Sequence, residues 1–390
     1  MKLQSYINEN EVCNEINDYL NYFDEPFWRK HTVCYDFCMD KDDIVCGKAY
    51  EKVKRNVIIA LNICTFRREE CIRKNLDLLM QSKFFNPDEA DYYSRLHVFI
   101  TDNAGQLKEE QNKFIHIYHN PMGNTGGSGG FQYGLDKIFD SDIAFTNVVF
   151  MDDDVEFIME TFYRLFALLS YMRDDYLDNP IAGRMFRKDR PYIQYTAAEK
   201  WNKGEISHIG YQLDMRDAAN FISMNENNES EYGGWWFCCY AIKFVKENKI
   251  MPFFLHCDDV EYGLRNGKPP ILLNGIQVWH ETFEYRLKPI VLYYDTRNSY
   301  FVNEKYNLLD YKSILSQWKE GISKFHKNKQ WLEEYMMIIA LRDFCRGIKW
   351  LYSIDSSEYH DKICRIKTTR WKNAFTWRVV EFYFSLKFLK

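Results

Sequence analysis

Three times in its first half the chain runs through an apolar, β-branched stretch and stops abruptly on polar residues. "NVIIALNICTF" closes on Thr65 and Arg67, "RLHVFITDNAG" on Asp102 and Asn103, and "FTNVVFMDDD" on Asp152, Asp153 and Asp154. Runs of this kind suit strands buried on both faces. After the first, "REECIRKNLDLLMQS" repeats Ile72, Leu76, Leu79 and Met80 at helical spacing, and after the third comes the helical "ETFYRLFALLSYM". Strands alternating with helices predict an α/β fold with a mostly parallel, Rossmann-like sheet flanked by helices. Ligands of such sheets bind beyond the carboxyl ends of the strands, where all three polar clusters fall.

Length and composition frame this core. The 390 residues, 46% hydrophobic, can bury a large interior, and a formal charge of -5 argues against a nucleic-acid partner. Eleven cysteines form neither a disulfide framework nor a paired zinc motif, so they are read as reduced thiols in a cytosolic protein. The start, "MKLQSYINENEVC", has no signal-peptide pattern, and no window approaches the ~20 apolar residues of a spanning helix. Composition divides the chain into a small leading element at 1–54 containing a strand in "HTVCYDFC", an α/β domain at 55–302, and a helical region at 303–390.

The triple carboxylate is the most demanding motif. Three adjacent anions at a strand end repel one another and lose hydration, so they need a compensating positive charge. A hard divalent cation, Mn2+ or Mg2+, supplies it. In an extended segment Asp152 and Asp154 share one side and Asp153 takes the other, so the first pair is the expected metal-binding pair. In "NTGGSGGFQYGLD" the glycines from Gly126 to Gly130 precede a helix expected near Phe131 and let backbone N–H groups approach an anion. It matches neither the dinucleotide fingerprint nor the P-loop. "PFFLHCDDVEYGLR" leads a second apolar run into Asp258 and Asp259, one of them an N-cap and the other free as a base, with Glu261 close behind. His280 ends the strand-like "GIQVWH" and could add an imidazole to the metal's shell. The rings of Trp235 and Trp236 in "YGGWWFCCY" either stack on a sugar or fill the core.

Taken together, "TFRRE", "FITDNAG", "NTGGSGGF", "FMDDDV", "GGWWF", "FLHCDDVEYGLR" and "VWH" occur in the order found in family 2 glycosyltransferases of the GT-A fold. Over about residues 55 to 300 the chain most resembles bacterial galactofuranosyltransferases of cell-wall galactan and related polysaccharide synthesis. The resemblance implies that Thr65, Arg67 and Asp102 hold a uridine nucleotide, with Asn124, Gly126, Gly127 and Asp153 also on the donor side. It assigns the metal to Asp152, Asp154 and His280 and the general base to Asp259. Trp235, Trp236, Asp258 and Glu261 are then expected at the acceptor sugar. The activity implied is inverting transfer from UDP-galactofuranose to a glycan or polyprenyl-linked acceptor, by a protein that is allowed to form a homo-oligomer.

Two alternatives keep the enzyme class or leave it: another nucleotide-sugar donor, or a non-catalytic carbohydrate-binding protein. A nucleotidyltransferase is disfavoured because "NICTFRREE" lacks a glycine loop after its strand. From Lys362 to Lys390 eight basic residues face a single acid, Glu381, while Trp371, Phe375, Val379, Phe382, Leu386 and Leu389 recur at three and four. Such a helix lies either on the sheet domain or on the inner face of the cytoplasmic membrane, and acceptors carried on polyprenyl lipids favour the membrane.

Overall fold

The computed structural model describes residues 55–172, 174–217, 219–220, 229–282 and 288–389. The leading element expected at 1–54, with its strand, lies outside the described residues. The first strands are β1 (Ile59–Thr65), β2 (Leu96–Asp102), β3 (Glu110–Gln111), β4 (Ile115–His119) and β5 (Asn147–Asp152). Short strands follow: β6 (Ile181–Ala182), β7 (Arg184–Arg187), β8 (Ile193–Thr196), β9 (Glu199–Asn202), β10 (Glu205–His208), β11 (Leu213–Asp214), β12 (Cys238–Ala241) and β13 (Gln277–His280).

The central sheet has seven strands in the order β3-β4-β2-β1-β5-β12-β6. β1 pairs parallel with both β2 and β5, and β2 pairs parallel with β4. β12 runs antiparallel to β5. The register sets Thr65 opposite Asp102 and Cys64 opposite Asp152, so the polar ends of three strands meet at one edge. The Rossmann-like α/β class expected from the strand–helix alternation is therefore present. Beside it a four-stranded sheet in the order β11-β8-β7-β13 brings His280, at the end of β13, toward that edge.

Both faces of the central sheet are covered. Helices α1 (Glu69–Met80) and α3 (Met159–Tyr171) supply Ile72, Leu79, Phe162 and Leu165 to the core on one face. Helix α2 (Gly126–Phe139) supplies Phe131, Leu135 and Ile138 to the other. Its start corrects the sequence expectation, because the glycines form its first turns instead of a loop before Phe131. A Cβ on Gly130 would lie 2.1 Å from the Cys64 sulfur and one on Gly134 2.1 Å from Asn62 Oδ1. The glycines thus let a helix backbone sit directly on β1, a packing need that propensity alone hides.

The remaining helices are α4 (Ile242–Glu247), α5 (Asp258–Asn266), α6 (Pro289–Lys305), α7 (Tyr311–Lys327), α8 (Trp331–Phe344), α9 (Ile348–Ser353), α10 (Ser356–Cys364) and α11 (Arg370–Phe388). α8 is buried on nearly every side and packs against α6, α7 and α11. The long run "KQWLEEYMMIIALRDFCRGIKWLYSI", read as helix throughout, is broken at Gly347, whose φ of 84° takes the chain out of α8 and into α9. Among the described residues no helix is long and apolar enough to cross a membrane.

Candidate metal and transfer site

The acid triplet divides its side chains as alternation predicts, although only Asp152 belongs to the strand and the next two residues turn. Asp152, Asp154 and His280 each offer one ligand atom, all within 4.8 Å of one another. His280 Nε2 lies 3.0 Å from Asp154 Oδ1 and 4.0 Å from Asp152 Oδ2. Nδ1 of the same ring is 2.6 Å from the Glu281 carbonyl oxygen, a contact that makes Nδ1 the donor and turns Nε2 toward the carboxylates. Burial, with Asp154 and Asp153 adding to it and His280 opposing it, pushes the Asp152 carboxyl up to about 7. Two carboxylate oxygens and one imidazole nitrogen are a fitting partial shell for Mn2+ or Mg2+, with positions left for phosphate and water.

Asp153 faces away from this trio. Thr65 Oγ1 donates to it at 2.6 Å and Arg68 Nη1 at 2.6 Å, while the same arginine reaches Asp154 at 3.0 Å. Burial raises the Asp153 carboxyl and Arg68 pulls it back down. Arg68 is the cation that sequence reasoning missed. Its neighbour Arg67, expected at the nucleotide, is exposed, with φ 59° and its guanidinium over the Phe66 ring. Two adjacent arginines carry no sequence signal that separates them.

Asp102 is buried and organises its own loop, accepting from the backbone N–H groups of Ala104 at 2.8 Å, Gln106 at 2.6 Å and Leu107 at 2.7 Å. Asn124 accepts from the Gly126 N–H at 3.1 Å. From the strand ends a chain of bonds crosses to the glycine helix: the Asn103 N–H donates to the Thr65 carbonyl at 2.9 Å, and Asn103 Nδ2 donates to the Gly126 carbonyl at 2.9 Å. Ser128, one turn into α2, then donates to Asp258 Oδ2 at 2.9 Å. Cys64 sits among these groups; burial, Asp153, Asp152, Asp258 and Asp102 together push its thiol well up. The two acid clusters are thus parts of one electrostatic neighbourhood.

Asp258 and Asp259 occupy the first two positions of α5, and neither is the N-cap, which falls on Cys257. The helix N-terminus favours their anionic forms, yet burial dominates: Asp259 is raised well above the usual range by burial, then by Asp258 and Glu199. Leading into them, Phe254, His256 and Cys257 hold φ of 75°, 61° and 64°. Side-chain-bearing residues avoid this region, so the segment must be held. Helix α6 holds it. Asn298 Nδ2 donates to the carbonyls of Phe253 (3.3 Å), Leu255 (2.7 Å) and His256 (3.0 Å), Arg297 Nη2 donates to Phe253 at 2.7 Å, and Asp295 lies 2.5 Å from His256 Nδ1. Gly126 fits beneath this loop; a Cβ there would fall 2.0 Å from the Phe254 carbonyl oxygen.

Three acceptor residues expected from the sequence are corrected. Trp235 and Trp236 are each 4% exposed. Trp235 stacks on Phe150 with centroids 4.5 Å apart, and Trp236 Nε1 donates to the Gly183 carbonyl at 2.8 Å. The glycines before them seat a ring: a Cβ on Gly234 would lie 2.2 Å from Trp236. Glu261 is fully buried and bound to Arg265, Lys305 and Tyr306, which takes it away from Asp259.

The chain is 24% identical over 250 residues to galactofuranosyltransferase GlfT2 of Mycobacterium tuberculosis, covering 57% of this chain and 37% of that protein. The GlfT2 of Mycolicibacterium smegmatis gives 24% over 250 residues, 57% of this chain and 36% of its own length. The curated relatives are glycosyltransferases. This chain spans little more than a third of their length. No protein-family model matches. Among solved structures, GalNAc-T7 with UDP, GalNAc and Mn2+ is 10% identical with a TM-score of 0.45, over 64% of this chain and 48% of that one. Mannosyltransferase PcManGT from Pyrobaculum calidifontis, in complex with GDP-Man and Mn2+, is 11% identical with a TM-score of 0.39, over 93% and 95%.

Proposed function

We propose that this chain is a metal-dependent inverting glycosyltransferase that moves a sugar, galactofuranose, from its uridine-diphosphate donor to a glycan or lipid-linked glycan in surface-polysaccharide synthesis. The reading rests on one juxtaposition: an Asp–Asp–His trio at the carboxyl edge of a parallel sheet, with a neighbouring strand end bonded through the glycine helix to Asp258 of a second acid pair. Sequence relation to GlfT2 supports the donor sugar. In this reading residues 55–302 are the catalytic unit, 303–390 a helical region, and the protein works at the inner face of the membrane.

Asp152, Asp154 and His280 would hold Mn2+ or Mg2+, which supplies positive charge to the departing diphosphate. Arg68 and Thr65 restrain Asp153, and Arg68 also lies beside Asp154. The N-terminal amides of α2 present donors to an anion. Asp259, its proton affinity raised by burial, accepts the proton of the attacking acceptor hydroxyl.

Incubation of the protein with a panel of nucleotide sugars, with and without Mn2+ or Mg2+, tests this through nucleotide release. The expected outcome is release from UDP-galactofuranose only when metal is present. Release from a different donor would correct the sugar and keep the class, whereas binding of sugars without any turnover would make the chain a lectin.

A further inference from the structure

Helix α11 has two unlike sides. Asn373, Val380 and Phe384 are buried, with Asn373 Nδ2 donating to Glu334 at 2.7 Å and to the Trp331 carbonyl at 2.8 Å, so this side is locked onto α8. The opposite side carries Trp371 at 84% exposure, Phe375 at 73% and Phe382 at 65%, with Val379 and Leu386 also exposed. These five recur at spacings of four, four, three and four, which places them in one stripe. Burial on the helical region therefore explains one face of the helix and leaves an aromatic ridge along the other.

The charges beside the ridge point to what covers it. Within α11, Lys372 lies over the Tyr335 ring and Lys387 donates to the Cys345 carbonyl, which leaves Arg370 and Arg378 beside the ridge, while the one acid, Glu381, is ion-paired with Lys319. Two copies meeting through this face would bring their own basic residues together. An anionic bilayer satisfies both features, with an apolar interior for the rings and negative headgroups for the cations. Nineteen residues give a helix about 28 Å long, and its packed side keeps it parallel to the surface it meets.

We propose that the Trp371–Leu386 ridge of α11 is a membrane-docking surface that inserts its rings at the headgroup boundary of an anionic bilayer. The proposal extends the membrane location given above to a defined face. It does not depend on the catalytic reading, since α11 contributes nothing to the acid clusters.

Sedimentation of the full chain with phosphatidylcholine vesicles, with or without about 30% phosphatidylglycerol, tests it. Partitioning onto the anionic vesicles is expected to be about tenfold stronger, accompanied by a blue shift of tryptophan emission. The combined variant Trp371→Ser, Phe375→Ser, Phe382→Ser should lose about tenfold of that binding with an unchanged melting temperature, since the rings are exposed. Arg370→Gln with Arg378→Gln should weaken binding to anionic vesicles alone. The proposal is overturned by equal binding of the serine variant and the parent. It is overturned equally by absence of vesicle binding in the full chain, or by light scattering that shows a dimer dissociated by the serine changes.

Discussion

The two acid clusters solve the same problem in opposite ways. Asp152 and Asp154 stand at a strand end with an imidazole aimed at them, and a divalent cation would relieve their mutual repulsion. Asp258 and Asp259 stand at a helix N-terminus, held by Ser128 and by a left-handed loop clamped from α6, and burial favours their protonated forms. In the proposed function one cluster holds a metal and the other exchanges a proton. Burial raises the carboxyls of both sites, and they differ in what opposes it: His280 and Arg68 at the strand end, the His256 imidazole and the start of α5 at the other.

The sharpest break between them comes from substitution. Asp154→Ala should cut transfer roughly a thousandfold and abolish Mn2+ binding, read by calorimetry, while circular dichroism reports an intact fold. Near-normal turnover in this variant would end the metal assignment. Asp259→Asn should cost about a hundredfold or more in kcat with Mn2+ binding retained, and loss of both together would merge the two clusters into one. A smaller effect is expected at the clamp: Asn298→Ala should lower kcat about tenfold, destabilise the fold by about 1–3 kcal/mol, and leave Mn2+ affinity unchanged. An equal loss of metal binding would show that α6 supports the whole edge.

Arg68→Ala should weaken Mn2+ binding by about tenfold, because Asp153 is then released to compete with its neighbours; an unchanged isotherm would make Arg68 a nucleotide contact only. The smallest effect is on pH. Asp152 must lose its proton to coordinate, and its carboxyl titrates at about 7, so Mn2+ affinity should rise with pH up to that point and level off above it. In the metal-free protein the sign reverses. A folded pKa above the unfolded one contributes stability that is full at acid pH and lost as pH rises through 7, so thermal stability without metal should fall over this range. A flat Mn2+ profile would deny Asp152 a place in the shell.

How much of this was legible in the sequence depended on whether the cause was local. Strands β1, β2 and β5 could be read because burial on both faces demands continuous apolar runs. The Asp152–Asp154 pairing was expected from strand alternation, but a turn after Asp152 is what sets both carboxylates beside His280. The glycines of α2 were misplaced into a loop, since their cause is contact with Cys64, Asn62 and Phe254 from distant segments. Trp235 and Trp236 allowed two readings because a pair of rings looks the same beside a sugar or inside a core. Asn298 gave no signal at all: its three acceptors lie more than forty residues upstream, and no motif joins them.

That last arrangement bears on engineering. The shape of "FFLHC" is not stored in its own five residues but imposed by three side chains of another helix, against the backbone preferences of three of them. Grafting the Asp-Asp motif onto a new scaffold would therefore carry the carboxylates without their aim, unless the helix bearing Asp295, Arg297 and Asn298 travelled with it.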